Sequence, residues 1–367
     1  MKKIIKTFIP NSILDFKEKI TNEIYRDKIK NFSLYLSKTN RVKLRESKDK
    51  FFFQIKNTKF VSSRGILNSA NIYNKIQYAN SKSISLEKIE KIKSNSSIYL
   101  CSNALISFSK KTIDKIKIPF ILLSGNSDLE ISPDTIGKNN FYKILNNKFL
   151  QKWFVQNLNF ENEKLINLPI GLDYQSRWGG NNIFGKDKML PFEQEKFLID
   201  TFINSQNVNE RRFLAYSNWH FLLSDERKLC LKKIDKSICF FQNTRPYREI
   251  TWKKQIEFAF VLCPEGSGID THRIWEAIFL GSIPIVKKNG IINLFNDLPV
   301  IIINNWNEIN IHYLKDKYEK IINKKFDFSS LFLKYWKLKF TNDETKFELE
   351  KMTLVEFKNY VQNNLIN

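Results

Sequence analysis

In the second half of this 367-residue chain, unbroken apolar runs alternate with segments of helical spacing, and this alternation narrows the possible folds more than any other feature. "RRFLAYSNWH" (211–220) reads as a strand, "SDERKLCLKKIDK" (224–236) as a helix with a Ser/Asp start, and "SICFFQN" (237–243) as a strand. "RPYREITWKKQIEF" is helical, "FAFVLCP" a third strand, "THRIWEAIFLG" a helix, "SIPIVKK" a fourth strand and "VIIINNW" (300–306) a fifth. Runs such as FAFVLC, with no in/out alternation, indicate strands covered on both faces, hence a parallel sheet flanked by helices. The expectation is a Rossmann-like α/β domain over roughly 195–320.

The first half repeats the pattern less regularly. Strands are expected at "SIYLCSN" (97–103), "IPFILLSGNSD" (118–128) and "KLINLPIGLDY" (164–174). A linker is expected at "RWGGNNIFGKDKMLPF" (177–192), where Gly-Gly, Asn-Asn and Pro cluster, and the tail from "FDFSSLFLKYWKLKF" onward reads as two helices. The implied α/β organisation is an N-terminal domain over 1–190, a C-terminal domain over 191–325 and terminal helices over 326–367.

Composition bounds the function classes. Hydrophobic residues make up 42% and aromatics 14%, which describes a folded chain. The formal charge of +22 suggests anionic partners, but the lysines are scattered and no zinc-finger or RNP-type motif occurs, so sequence-specific nucleic-acid recognition is not expected. Cys101, Cys230, Cys239 and Cys263 lie far apart or inside apolar runs, with no CxxC pair, and read as buried thiols in a reducing compartment. No segment offers the uninterrupted apolar stretch of a membrane span, and the apolar stretches at the N-terminus are too short for a signal-peptide core. The expected location is cytoplasmic, with peripheral contact to anionic membrane through "FIPNSILDFKEKI" if it forms a basic amphipathic helix; packing of that helix on the domain is the alternative.

The stretch "FVLCPEGSGIDTHRIWE" (260–276) carries the chemistry. After the apolar strand, Pro264-Glu265-Gly266-Ser267-Gly268 leads to a helix that Asp270 or Thr271 can cap. A strand, a glycine loop and a helix N-terminus converge free backbone N–H groups and the positive end of a dipole, which suits a phosphate or diphosphate. Gly266 and Gly268 are expected to let a ligand approach the backbone. On the helix, His272, Arg273 and Glu276 share one side, placing a guanidinium and an imidazole for the diphosphate and a carboxylate for ribose hydroxyls, while Ile274, Ala277, Ile278 and Gly281 form the packed side. The structural alternative is an intrahelical Arg273–Glu276 ion pair above an ordinary turn.

From 247 to 308 the chain resembles the donor-binding half of exostosin-like glycosyltransferases of the GT-B fold. The matching residues are Pro264, Gly266, Gly268, Asp270, Arg273, Glu276, Gly281, Pro284, Leu298, Pro299, Trp306 and Glu308. The resemblance implies two Rossmann-like domains facing a cleft, an acceptor-side N-terminal domain, and C-terminal helices packing back on it. It further implies a nucleotide-sugar co-substrate and a glycan or lipid-linked acceptor, and it makes Arg227, in "DERK", a second phosphate contact. Two departures matter. The glutamate pair eight apart of many retaining enzymes is absent, since Gly268 stands eight before Glu276, which favours inversion. Fucosyltransferases of related fold carry Thr-Glu-Lys where this chain reads Thr271-His272-Arg273, which argues against a simple fucosyltransferase.

An inverting transfer needs a general base and stabilisation of the departing diphosphate. With no DxD pair after a strand, catalysis without metal or cofactor is expected. Asp128, after "PFILLSGNS", is the expected base, with Asp173 next. Arg177 and Trp178 either line an acceptor sugar or pack the linker; His220 and His312 read as surface or packing residues. A non-catalytic nucleotide- or nucleic-acid-binding protein shares the charge and the Rossmann-like half and is the alternative reading.

Overall fold

The computed structural model describes residues 47–74, 83–178, 185, 187–219, 224–242, 244, 246–341 and 345–366. The chain separates into a unit Met1–Phe52, of which 47–52 are described and helical, and a unit Phe53–Asn367, to which everything below belongs. The segment "FIPNSILDFKEKI", most of the expected linker glycines and His220 lie outside the described residues.

The larger unit contains two parallel sheets. The first runs in chain order, β1 (Ser96–Cys101), β2 (Phe120–Gly125), β3 (Leu150–Val155) and β4 (Leu165–Asn167). β1 and β2 are buried at every position, as strands covered on both faces must be. Beside them α1 (Leu105–Lys111) and α2 (Lys138–Leu145) contribute Phe108, Phe141 and Ile144 to a core with Leu122, Trp153 and Val155. The strand β3 is not foreseen by the sequence reading. Gln151 and Lys152 are exposed and break the apolar run, while Trp153, Phe154 and Val155 are buried in the sheet interior.

The second sheet comprises β5 (Arg212–Ser217), β6 (Cys239–Phe241), β7 (Phe258–Leu262), β8 (Ile283–Lys287) and β9 (Ile301–Ile303), in the order β6-β5-β7-β8-β9. This is the doubly wound 2-1-3-4-5 order, with its topological switch between β5 and β7. After α3 (Pro191–Ile203), which precedes this sheet, the strands and helices foreseen from the apolar runs are all present: α4 (Asp225–Lys233), capped by Ser224, α5 (Arg248–Gln255) and α6 (His272–Phe279) alternate with the strands. The packed side of α6 is the expected one, with Ile274, Ala277 and Ile278 at most 2% exposed. All four cysteines are free and buried.

Two helices close the chain. α7 (Leu333–Thr341) packs back on the first half: Phe332, just before it, pairs with Phe60, and Phe340 meets Phe154 of β3 ring to ring at 6.2 Å. α8 (Leu354–Asn364) sends Phe357 instead between Phe202 and Phe279 of the second half. Two parallel α/β layers facing a cleft, with terminal helical packing, make the two-domain Rossmann-like arrangement of the GT-B class. No helix among the described residues is long and apolar enough to cross a membrane.

Candidate functional site

A cavity of about 530 Å³ lies between the two sheets, and the segments that line it follow the carboxyl ends of strands. Asn126 and Asp128 follow β2, Ile170 and Asp173 follow β4, Asn218 and Trp219 follow β5, and the glycine loop follows β7. Open α/β sheets place ligands in this position because loops and helix N-termini converge where strand order reverses. The expected catalytic and donor-binding residues line it except Glu265, whose carboxylate accepts a 2.8 Å bond from Asn289 Nδ2 instead.

The loop closes on itself, with the Gly266 amide donating to the Gly268 carbonyl at 3.1 Å. Its glycines line the cavity and also make room for the protein's own side chains. A Cβ on Gly266 would stand 2.9 Å from Arg227 Nη2, and one on Gly268 would stand 3.0 Å from Asn157 Nδ2. The loop is thinned so that Arg227 crosses it on one side and Asn157 abuts it on the other.

Arg227 is buried, and its pKa is lowered to about 10, first by desolvation and then by the neighbouring Arg273 charge. Two guanidiniums side by side at a cavity wall are stabilised by an anion between them. Arg273 is oriented by Asn218, whose Oδ1 accepts from Nε at 2.6 Å across the switch between β5 and β7. Thr271 is the N-cap of α6, yet its hydroxyl makes no capping bond and is a buried oxygen with no partner. The first amides of a helix have no intrahelical acceptor, so this end of α6 presents donors and a positive dipole to the cavity.

The opposing carboxylates fall into different states. Asp173 accepts from Arg248 Nη2 at 2.6 Å and from the amides of Gln175 and Ser176, each at 3.0 Å. Burial alone would raise its pKa, but the Arg248 charge, then His272 and the Ser176 bonds, outweigh it and hold the carboxyl well below the usual range. Arg248 Nε also stands 3.8 Å from Glu276 Oε1, so the ion partner of Glu276 is Arg248 rather than Arg273. Asp270 is buried between Ile170 N, at 2.7 Å, and Trp275 Nε1, at 2.9 Å, and its pKa is raised to about 6, chiefly by desolvation. His272 donates from Nδ1 to the Gly171 carbonyl at 2.6 Å, which fixes the proton on that nitrogen. Asp128 is exposed and lines both this cavity and an adjoining one of about 630 Å³ on the side of the first sheet.

Arg248 is the site residue the sequence reading passes over. Its partners come from β4's loop and from α6, 75 and 28 positions away in opposite directions along the chain, and no local motif marks such a contact. Arg177 is buried and bonded to Glu249 and the Asp187 carbonyl, away from the cavity, as the packing alternative had it. His312 is exposed. Among the described residues, no group of three or more His, Cys, Asp or Glu side chains is arranged to hold a metal ion.

No known family profile and no curated protein matches the chain. Among solved structures it is similar to an α1,3-fucosyltransferase at 14% identity and a TM-score of 0.32, covering 68% of this chain and 74% of that one. It is similar also to an α1,3-fucosyltransferase with GDP-fucose, at 14% identity and a TM-score of 0.34, covering 78% of this chain and 98% of that one. Neither identity nor superposition at this level assigns a residue role, so the roles rest on the geometry of this chain.

Proposed function

We propose that the protein is a glycosyltransferase that moves a sugar from a nucleotide-sugar donor to a glycan or lipid-linked acceptor, with inversion and without a metal. The observation that carries the reading is the convergence of Arg227, Arg273, the glycine loop and the unpartnered Thr271 hydroxyl on one wall of the cavity. A nucleoside diphosphate is a leaving group whose growing charge needs fixed positive groups, and this wall supplies them. The sequence resemblance to exostosin-like enzymes supports the same assignment of the second half.

In this reading the donor diphosphate lies against Arg227, Arg273 and the amides of Ser267 and Gly268. Glu276, held by Arg248, accepts from the ribose. Asp128 is the general base, because it is the exposed carboxylate at the junction of the two cavities and the acceptor hydroxyl approaches from the adjoining one. Asp173, ion-paired and weakly basic, keeps Arg248 in place and does not take the proton. Asp270 joins the loops rather than contacting the donor, since both its oxygens are engaged.

The test is thermal unfolding with UDP, GDP, dTDP, CMP and their sugars, followed by turnover assays with the nucleotide that binds. Ligand at 100 times its Kd adds about 2.7 kcal/mol to stability. One nucleotide is expected to raise the midpoint of the wild type and not that of folded Arg273→Ala, and its sugar is expected to turn over equally with and without EDTA. If no nucleotide shifts the midpoint, the reading fails. Binding without turnover of any nucleotide sugar favours a non-catalytic nucleotide-binding protein.

A further inference from the structure

Gln156 and Asn157 directly follow β3, and each is 1% exposed. Neither lines either of the two cavities described above, yet between them they hold segments that do. Gln156 Oε1 accepts from the Asn126 amide at 2.7 Å and from Ser63 Oγ at 3.1 Å, while Nε2 donates to the Pro169 carbonyl at 2.8 Å. One buried amide thus ties the loop leading to Asp128, the segment at Ser63 and the loop leading to Asp173. Gly125 makes room for it, since a Cβ there would stand 2.1 Å from Oε1.

Asn157 completes the arrangement from the other side. Its Nδ2 donates to the Ser127 carbonyl at 3.0 Å, and its Oδ1 accepts from the Asp270 amide at 2.9 Å. It therefore bonds at once to the residue before Asp128 and to the end of the glycine loop. Asn126 and Asn157 adopt φ of 54° and 55°, a left-handed conformation that Asn tolerates better than most residues.

We propose that Gln156 and Asn157 are positioning residues that set the separation between Asp128 and the glycine loop, an inference that rests on the transfer reading for its catalytic consequence. Both amides spend their donors and acceptors on backbone or side-chain partners in fixed directions, so the Asp128 loop is held at Asn126 by one and at Ser127 by the other. A general base displaced by an ångström loses much of its rate advantage, and Gln156, which bonds Asn126, Ser63 and Pro169 and nothing on the glycine loop, can be changed with the donor wall left in place.

The experiment compares wild type with Gln156→Met, Asn157→Gly and Asn157→Asp by steady-state kinetics and by amide hydrogen exchange. Glycine accepts the φ of position 157, and Asp keeps the acceptor for the Asp270 amide while losing the donor to Ser127. In Gln156→Met and Asn157→Gly, kcat is expected to fall on the order of 10- to 100-fold, and in Gln156→Met donor KM stays within about threefold. Exchange protection is expected to be lost at Asn126 in the first and at Asp270 in the second, with Trp153 still protected as the control for intact folding. Asn157→Asp is expected to restore protection at Asp270. Unchanged protection of both amides overturns the clamp whatever the activity, and so does an unchanged kcat with a raised donor KM. If wild type transfers no sugar while the amides respond as stated, the transfer reading falls and the clamp stands.

Discussion

Arg248 is held between Asp173 and Glu276 and is nine-tenths buried, and the ionised state of Asp173 depends on it. Replacing Asp173 by Asn leaves that guanidinium short of its nearest partner, and breaking a buried pair in this way costs about 3–5 kcal/mol. The pH dependence has a definite sign. The folded pKa of Asp173 lies below its unfolded value of 3.8, so its stabilising contribution is present above pH 3.8 and is lost as pH falls below it. Urea unfolding of Asp173→Asn is therefore expected to converge on wild type in acid, and a constant difference down to the lowest folded pH would contradict the pairing. Asp128 differs because, among the described residues, no basic group is ion-paired with it. Asp128→Asn is expected to lower kcat about 10²- to 10⁴-fold, the range of a lost general base, with the nucleotide-induced rise in midpoint retained. The contrast was only half legible in the sequence: both aspartates follow apolar strands, and what separates them is an arginine that approaches through the fold.

At the scale of elements, the doubly wound second sheet was readable because its strands are short unbroken apolar runs with turn residues between them. The first sheet was readable at β1 and β2 for the same reason and failed at β3, whose first turns of chain expose Gln151 and Lys152. The consequence reaches the site, since Gln156 and Asn157 stand at the end of the strand that periodicity missed. The terminal helices were foreseen as helices, but their division of labour was not: α7 covers the first half and α8 the second. Phe340 is fully buried against Phe154 at the back of β3, so Phe340→Ala is expected to destabilise the protein by about 3–5 kcal/mol. Because α7 lies behind the sheet and away from the cavity, nucleotide affinity measured on the folded fraction is expected to stay at the wild-type value. A proportional loss of affinity would show that the helix shapes the cleft itself.

For the whole molecule, the decisive feature is the joint between the two sheets. Asp270 comes from the loop of the second sheet, accepts from Ile170 of the first, and donates its own amide to Asn157. His272 adds a bond to Gly171, and its charge, when present, favours ionised Asp270. The folded pKa of Asp270, about 6, is above the unfolded 3.8, so folded protein binds the extra proton between these values. Stability from this group is then present below pH 3.8 and falls as pH rises through 6, by about 2–3 kcal/mol on the scale of 1.36 kcal/mol per unit. This window lies above that of Asp173, and the two slopes have opposite signs. Buried Glu195, also raised by burial, contributes a slope in the same direction, so the test is a difference between variants rather than the wild-type curve alone. Asp270→Asn cannot ionise, and the stability difference between it and wild type is expected to move in favour of the variant from pH 4.5 to pH 7 in urea titrations. The protection factor of the Ile170 amide, which removes the intrinsic rise of exchange with pH, is expected to fall over the same range in wild type and to stay constant in the variant if the joint opens as the carboxyl ionises. A difference that stays constant with pH would mean that Asp270 is ionised throughout and that the joint is held by charge as firmly as by its hydrogen bonds.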